Sequence, residues 1–204
     1  MKKILLLYLS LLLSVFCVYG QETDKPRSTR PLTKWEKRFG QVKYGNNVYR
    51  KGSNWFSVGY GLYGYNINKK AFNRNFSLAY HHRYKGVYFN GGWHFSSPNF
   101  FTDRPMDQVN DIHAGAGLRF EDRWYHFSFF IGPSFATTWT PNELNPKESF
   151  IHHQLGAHVE IQTIFKYFYD LGIGAALYGS FNKRYQVVGV QLQLYFSNAF
   201  VSKY

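Results

Sequence analysis

Strict alternation of apolar and polar residues near the C-terminus limits what this chain can fold into more than any other feature. In Gln186–Phe196 every second residue from Val188 to Phe196 is apolar, and the other face holds Val187, Gly189, Gln191, Gln193 and Tyr195. Successive side chains of a β-strand point to opposite faces, so this run predicts a strand with one apolar face. A soluble sandwich or lipocalin-like barrel buries that face, whereas a transmembrane barrel turns it to lipid.

The same alternation recurs about eight times between Asn54 and Ser197, and no run of useful length has the helical period. Apolar residues alternate in each run with glycine, alanine, serine, histidine and glutamine, and lysine is almost absent from this polar face. A water-facing sheet would carry lysine and glutamate there, whereas a narrow closed interior favours small residues beside large polar ones. The predicted strands are 55–65, 76–83, 87–95, 112–120, 125–132, 151–162, 171–178 and 186–196.

The connections between these runs also alternate in length. Three long connections are predicted at 66–75, 96–110 and 136–149, and the short ones at 84–86, 121–123 and 166–170. Long loops on one side and tight turns on the other are typical of outer-membrane barrels, although the last long-side connection, 182–184, is short. We therefore predict an all-β protein, a closed antiparallel eight-stranded transmembrane β-barrel over residues 53–197.

Aromatic residues make up 21 % of the chain, and many of them fall near predicted strand ends. Tryptophan, tyrosine and phenylalanine prefer the membrane–water interface. We expect interfacial girdles formed by Trp55, Tyr65, Trp93, Trp124, Tyr167, Phe168, Tyr169 and Phe196.

The N-terminus has the features of a secretory signal peptide. Lys2 and Lys3 precede an apolar stretch, Ile4–Val18, that is short for a transmembrane helix, and Val18 and Gly20 fit the small-residue cleavage rule. We predict cleavage after Gly20, so that residues 1–20 are removed and the mature protein reaches the outer membrane. Because Cys17 is the only cysteine, the mature chain has neither a disulfide nor a thiolate metal site.

Residues 21–52 differ in composition from the barrel and are predicted to be a basic periplasmic segment, while residues 198–204 form a C-terminal tail. The formal net charge of +12 indicates an anionic neighbour, either lipopolysaccharide phosphate or an envelope protein, and nucleic acid is not expected for an exported chain. The basic segment is either a solvated leader or a docking segment. The docking candidates are Arg30, Lys34, Trp35, Lys37, Arg38 and Phe39.

The alternation, together with the aromatic final strand that ends at Phe196, resembles the small eight-stranded outer-membrane barrels of the OmpA-transmembrane and OmpX type over about residues 54–197. The tyrosine-rich strands and the tail Ser197–Tyr204 are similar to small barrels from the Bacteroidota. Some of these, the PorT-like group, are accessory subunits of secretion machinery. Our first hypothesis is a non-enzymatic structural or accessory barrel with a lumen filled by side chains, and the second is a subunit of a larger outer-membrane secretion or assembly complex.

Several ionisable residues fall on the predicted inward face. A charge in a narrow lumen of low dielectric needs a partner, so Arg83, Arg119 and Glu160 are predicted to form an internal network. No H-x-H or H-x-x-x-H spacing with carboxylates occurs, so we expect no metal site or cofactor and predict that the inward histidines pack and donate hydrogen bonds. These histidines are His81, His94, His113, His126, His152 and His158.

A third hypothesis is a lipid A-modifying enzyme. His94-Phe95-Ser96 and His126-Phe127-Ser128 match the His-x-Ser spacing of the outer-membrane lipid A deacylases, in which the histidine activates the serine. Both pairs are predicted to face the lumen, away from a lipid substrate, and two-residue matches arise easily in a chain with eight histidines. We therefore predict that the protein is not an enzyme.

Overall fold

The structure is a computed structural model that describes residues 40–44, 46–65, 72–84, 86–98, 108–142, 145, 148–183 and 185–203. The predicted signal peptide and the six docking candidates between Arg30 and Phe39 lie outside the described residues. No helix in the described part of the chain is long and apolar enough to cross a membrane. The strands are β1 (Gln41–Tyr44), β2 (Asn47–Arg50), β3 (Trp55–Tyr65), β4 (Phe72–Tyr84), β5 (Val87–Ser97), β6 (Gln108–Glu121), β7 (Tyr125–Pro141), β8 (Ser149–Phe168), β9 (Leu171–Asn182), β10 (Gln186–Ser197) and β11 (Phe200–Lys203).

Eight of these strands close into a barrel. Their order is β10-β3-β4-β5-β6-β7-β8-β9, each strand antiparallel to its neighbours. The ring closes where β10 pairs with β3, with Leu192 opposite Tyr60. Each strand of the ring pairs with a neighbour on both sides, so the ring has no edge strand, as the hydrocarbon core of a membrane requires. The predicted fold class is confirmed.

The exposure of successive residues decides which face of the sheet points inward. In β10, Leu192 is 67 % exposed, whereas its neighbours Gln191 and Gln193 are each 1 % exposed. Large apolar side chains cover the outside of the other strands as well. Their inward face combines polar and small residues with a few large ones, Trp55, Tyr88, Phe130 and Ile164. This is the reverse of a soluble barrel, and it identifies the outer surface as the lipid-facing surface of a transmembrane barrel.

The two ends of the barrel differ. We call one the turn end, because its connections are short (residues 85–86, 122–124 and 169–170) and because β3 begins and β10 ends there. We call the other the loop end, where the connections are residues 66–71, 98–107, 142–148 and 183–185.

Strands β7 and β8 are longer than predicted, with 17 and 20 residues. The predicted connection 136–149 is therefore wrong, since β7 continues to Pro141 and β8 begins at Ser149. Pro141 lies at the strand end, where the missing N–H is tolerated, so it does not mark an earlier break. Residues 149–155 of β8 pair with β7 alone, because the pairing of β8 with β9 starts at Gly156 opposite Asn182. The β7–β8 hairpin therefore projects at the loop end.

A second, three-stranded sheet joins the two ends of the described chain in the order β1-β2-β11. Tyr49 in β2 lies opposite Val42 in β1 and Phe200 in β11. The Tyr49 ring contacts that of Tyr169 at 5.2 Å, and Ala199 joins the same buried cluster. Part of the basic segment and part of the C-terminal tail thus form one sheet against the turn end of the barrel.

Two of the predicted girdle aromatics lie elsewhere. Trp55 and Tyr169 are 1 % and 0 % exposed, so their assignment to the membrane interface is wrong. Trp55 shares the inward parity of Ser57, and Tyr169 lies in a turn that packs beneath the small sheet. Trp124, Tyr167, Phe168 and Phe196 are exposed, and Trp93 is half-buried. The side chain of Tyr65 lies outside the described ones.

Candidate functional site

Among the residues that the structure describes, two clusters of charged or ionisable side chains lie in the barrel interior. The first, which we call the Glu121 cluster, comprises Arg119, Glu121 and Lys166 at the turn end. Arg119 Nη2 donates to Glu121 Oε1 at 2.8 Å, and Lys166 Nζ donates to the same oxygen at 2.6 Å. Arg119 Nη2 also donates to the hydroxyl of Tyr195 at 2.9 Å. The three charged side chains are 0–4 % exposed, so these are buried, charge-assisted hydrogen bonds.

The Glu121 cluster also holds the chain segment that leads into the barrel. The backbone N–H of Gly52 donates to Glu121 Oε2 at 2.7 Å. Arg119 Nη1 donates to the carbonyl of Ser53 at 2.8 Å. Gly52 has a φ of +69°, a left-handed conformation that glycine adopts at little cost. Residues 51–53 are thereby tied into the mouth of the barrel at the turn end.

Aromatic rings complete the surroundings of the two cations. The Arg119 guanidinium carbon lies 4.4 Å from the ring centre of Trp55, and Lys166 Nζ lies 3.9 Å from that of Tyr169. Both distances are in the range of cation–π attraction. A cavity of about 270 Å³ remains beside the cluster, lined by Lys51, Gly52, Arg83, Gly86, Tyr88, Arg119 and Glu121.

The predicted network of Arg83, Arg119 and Glu160 is wrong. Arg119 pairs with Glu121, and Arg83 Nη1 donates to the carbonyls of Lys51 and Gly52. Glu160 Oε1 instead accepts from Gln162 Nε2 at 3.0 Å and from Gln193 Nε2 at 2.9 Å. Glu121 and Lys166 fall in the predicted turns 121–123 and 166–170. For this reason neither was among the predicted lumen residues, although both belong to the cluster of Arg119.

The second group, which we call the histidine cluster, comprises His94, His113, His158 and Glu160. These residues come from β5, β6 and β8. One potential ligand atom from each side chain lies within 4.8 Å of the others. The rings of His113 and His158 stack with centres 3.8 Å apart and planes 5° apart, and the His94 ring contacts each of them edge-on at 5.0 Å.

The histidine cluster is buried, yet much of its hydrogen-bonding capacity is unused. The four residues are 0–3 % exposed, and both ring nitrogens of all three histidines lack a hydrogen-bond partner. Glu160 Oε2 also lacks one, since it lies 3.8 Å from His158 Nε2, beyond hydrogen-bonding distance. Buried polar atoms are nearly always paired in proteins, so this concentration at one place is unusual.

The remaining predicted lumen histidines lie outside this cluster. His81 stacks on Trp55 at 4.2 Å, and its Nε2 lies 3.2 Å from Gln162 Nε2. His126 contacts the ring of Tyr195 edge-on at 4.9 Å. His152 lies on the part of β8 that projects beyond β9 and is half-exposed, so it does not lie buried in the lumen with the others.

Neither His-x-Ser pair forms a hydrogen-bonded nucleophile and base. Ser96 Oγ accepts from Asn75 Nδ2 at 2.9 Å, and Ser128 Oγ donates to Gln162 Oε1 at 3.1 Å. The ring nitrogens of His94 and His126 have no hydrogen-bond partner. Both serines are buried inside the barrel, on the face opposite the lipid.

Sequence reasoning missed the convergence of the histidine cluster for a definite reason. His158 and Glu160 are two residues apart on β8 and share its inward face, a signal visible in the sequence. His94 and His113 join them from other strands, with His113 opposite Gly92 in the β5–β6 register. Their meeting depends on the stagger of strands around the barrel, which spacing along one strand does not reveal.

Comparison with known proteins supports the architecture. Neisserial surface protein A matches with a TM-score of 0.55 and 8 % identity, over 71 % of this chain and 95 % of that one. Ail, the attachment invasion locus protein of Yersinia pestis, matches with a TM-score of 0.53 and 14 % identity, over 73 % of this chain and 97 % of that one. The chain has the fold of the small eight-stranded outer-membrane barrels. No family model matches it, and no curated protein matches its sequence.

Ail also matches, with a TM-score of 0.53 and 13 % identity over 72 % of this chain, in its complex with the heparin analogue sucrose octasulfate. At this level of identity the match describes the shared fold.

Proposed function

We propose that this protein is a non-enzymatic outer-membrane β-barrel with a lumen closed by its own side chains, and that its role is structural or accessory. The observation that carries the proposal is the burial of large inward side chains along the barrel. Phe130 and Tyr195 are 0 % exposed, and Gln191 and Gln193 are 1 % exposed. An eight-stranded barrel has an interior just wide enough for side chains to fill, which favours an anchor or scaffold over a pore.

The turn end supports the same proposal. In outer-membrane barrels the short turns face the periplasm, so the Glu121 cluster would lie at the periplasmic mouth. The hydrogen bond from Gly52 N–H to Glu121, together with the bond from Arg119 to the Ser53 carbonyl, ties residues 52 and 53 across this mouth. Solutes would therefore meet a closed barrel on that side.

Membrane fractionation and conductance measurements test this proposal together. We expect the protein in the outer-membrane fraction, with faster gel mobility when unboiled than when boiled. Folded protein in a planar bilayer should give no steady conductance, and a sample boiled before reconstitution is the control for leakage caused by unfolded chains. Stepwise, long-lived conductance from the unboiled protein would contradict a closed lumen.

A second candidate function, docking to a larger envelope complex through the basic segment, has one observation in its favour. The β1-β2-β11 sheet packs against the turn end through Tyr49 and Tyr169. The described chain enters this sheet at Gln41, shortly after the basic residues 21–39 in the sequence. Their positive charge suits an acidic partner surface.

Deletion of residues 21–39 separates the two candidates and leaves β1 in place. If the segment docks, the deletion variant loses partner proteins that co-purify with the full chain after mild crosslinking, while its barrel still shifts on the unboiled gel. Replacement of Arg30, Lys34, Lys37 and Arg38 by glutamine should produce the same loss, since it removes the charge and keeps the length. An unchanged set of partners would leave only the scaffold role.

At the loop end, exposed Arg74 and Lys183 are suited to pair with lipopolysaccharide phosphates. Lipid A modification has no support from the buried serines, so Ser96→Ala and Ser128→Ala should leave the lipid A mass spectrum of producing cells unchanged. A spectrum that changes in either variant would restore the enzymatic hypothesis.

A further inference from the structure

We propose that the histidine cluster is a metal site inside the barrel. His94, His113, His158 and Glu160 would bind one divalent first-row transition ion, with zinc as the expected occupant. The site lies among inward side chains of β5, β6 and β8, and it stands independently of the cellular role proposed above.

The ligand atoms lie at distances that an ion can close. Zinc binds imidazole nitrogen and carboxylate oxygen at about 2.0–2.2 Å in a tetrahedron, which places ligand atoms about 3.3 Å apart. In this structure the ligand atoms of the four side chains lie within 4.8 Å of one another. To bind one ion, the imidazole and carboxylate groups would rotate about their side-chain bonds, and the stacked rings of His113 and His158 would tilt towards it, because an imidazole nitrogen binds a metal in the plane of its ring.

The unused hydrogen-bonding capacity points to the same occupant. Neither ring nitrogen of His94, His113 or His158 has a hydrogen-bond partner, although these residues are only 2–3 % exposed. An ion would take one nitrogen from each ring. Leaving a buried polar atom unpaired costs free energy, and coordination removes that cost at one nitrogen of each of the three rings.

Glu160 is oriented as a ligand by its own neighbours. Gln162 and Gln193 both donate to Oε1, and Oε2 is left without a hydrogen bond, 3.8 Å from His158 Nε2. Partners of this kind fix the orientation of metal-binding carboxylates in known sites. The amides supply no positive charge, so a divalent ion would also neutralise a carboxylate that is 0 % exposed.

Gly92 provides the space that His113 occupies. A Cβ atom at this position would lie 2.5 Å from His113 Nε2 and 2.6 Å from Cε1. These distances are too short for ordinary contact, so any side chain at position 92 must displace the ring. Gly92→Ala is therefore a variant that disturbs the site and removes no ligand.

The donor set determines the class of ion. Three imidazoles and one carboxylate suit zinc and the neighbouring ions cobalt, nickel and copper. Calcium and magnesium prefer sites made of oxygen atoms. Four protein ligands complete a tetrahedral zinc site, an arrangement typical of structural sites. The ion would cross-link three strands through the lumen.

The test uses the full chain without a polyhistidine tag, folded in detergent, treated with a chelator and then titrated with zinc. We expect one zinc ion per barrel by elemental analysis. Zinc affinity should fall at least tenfold in His113→Gln and in Glu160→Gln, and cobalt bound to the wild type should show the visible absorption of a tetrahedral site. His126→Gln is the matched control, because it removes a buried lumen histidine outside the cluster and should retain zinc.

Each sample is first checked for the faster mobility of unboiled, folded barrel. If a ligand variant does not fold, Gly92→Ala is measured in its place. Its barrel should remain folded, and its zinc affinity should fall. The proposal is overturned if the folded wild type binds no zinc, which would leave the cluster to bound water. It is also overturned if the ligand variants, Gly92→Ala and His126→Gln all bind zinc as the wild type does, since the zinc would then lie elsewhere, for example at the exposed His82 or His153.

Discussion

The Glu121 cluster and the histidine cluster lie in the same lumen and differ in how far their buried polar groups are paired. In the Glu121 cluster, one carboxylate accepts from Arg119, from Lys166 and from the Gly52 N–H. In the histidine cluster, the carboxylate of Glu160 accepts only from neutral amides on one oxygen, and the ring nitrogens beside it are unpaired. In the first cluster the charged groups are paired within the chain, whereas in the second the ring nitrogens and Glu160 Oε2 have no hydrogen-bond partner.

The two clusters also take their side chains from different parts of the fold. The Glu121 cluster draws on strand ends and on residues 52 and 53, so it joins the barrel to the segment that precedes it. The histidine cluster draws on three strands of the wall. Charges paired within the chain suit a permanent connection at the turn end, and the unpaired nitrogens suit ligand binding in the lumen.

The largest expected effect is at the Glu121 carboxylate. Glu121→Gln leaves Arg119 and Lys166 buried without their common anion, and breaking a buried ion pair costs about 3–5 kcal/mol. Urea unfolding of the barrel in lipid vesicles, followed by tryptophan fluorescence, measures the change. Glu148→Gln, at an exposed position near the loop end, is the control and should stay within about 0.5 kcal/mol of the wild type. Similar unfolding midpoints for both variants would mean that the ion pairs of Glu121 contribute little to the free energy of unfolding.

Zinc itself should produce the next largest effect. Free zinc at one hundred times its dissociation constant should raise the unfolding free energy of the wild type by about 2.7 kcal/mol, because it binds only the folded state. His113→Gln should gain almost nothing. Glu121→Gln should gain the full increment, since the two carboxylates share no hydrogen-bond donor among the described residues and sites without shared partners act additively. A smaller gain in Glu121→Gln would show that the two clusters are coupled and would break the comparison.

Alanine substitutions at two glycines with positive φ test how tightly residues 51–53 are held at the turn end. Gly52 and Gly86 have φ of +69° and +96°, so alanine at either position should cost about 1–2 kcal/mol. A Cβ at Gly52 would also collide with Arg83 Nη1, whereas at Gly86 nothing lies within 4 Å. Gly52→Ala should therefore destabilise the barrel more than Gly86→Ala in the same urea assay. Equal costs would indicate that Arg83 moves aside freely.

The smallest effect on the barrel is expected from removal of residues 200–204. Without β11, β2 loses one of its two neighbours in the small sheet, while the closed ring of eight strands is untouched. The urea midpoint should change little, and residues 41–50 should be cleaved faster in limited proteolysis, because local opening tracks local contacts. A large fall in the urea midpoint would mean that the small sheet supports the Glu121 cluster.

The regular part of this fold followed from the sequence, because the alternation that predicted it is a local property of each strand. The run 55–65 was predicted with the bounds that the structure has, and 186–196 differs by one residue. Irregular positions were harder to predict. Pro141 and Pro146 suggested a long connection at 136–149, whereas cross-strand pairing carries β7 to Pro141. The pairing between residues 41–50 and residues 200–203 was not predicted either, because the whole barrel separates these two segments in the sequence.

The sequence by itself determined that the chain forms a membrane barrel and which face of each regular strand points inward, because side-chain direction alternates along a strand. Only the tertiary structure decided which inward residues meet. Glu121 reaches Arg119 and Lys166, and His94 and His113 reach Glu160, because closing eight strands sets their stagger around the ring. That stagger depends on the register of every pair of neighbouring strands together, and no single stretch of sequence contains it.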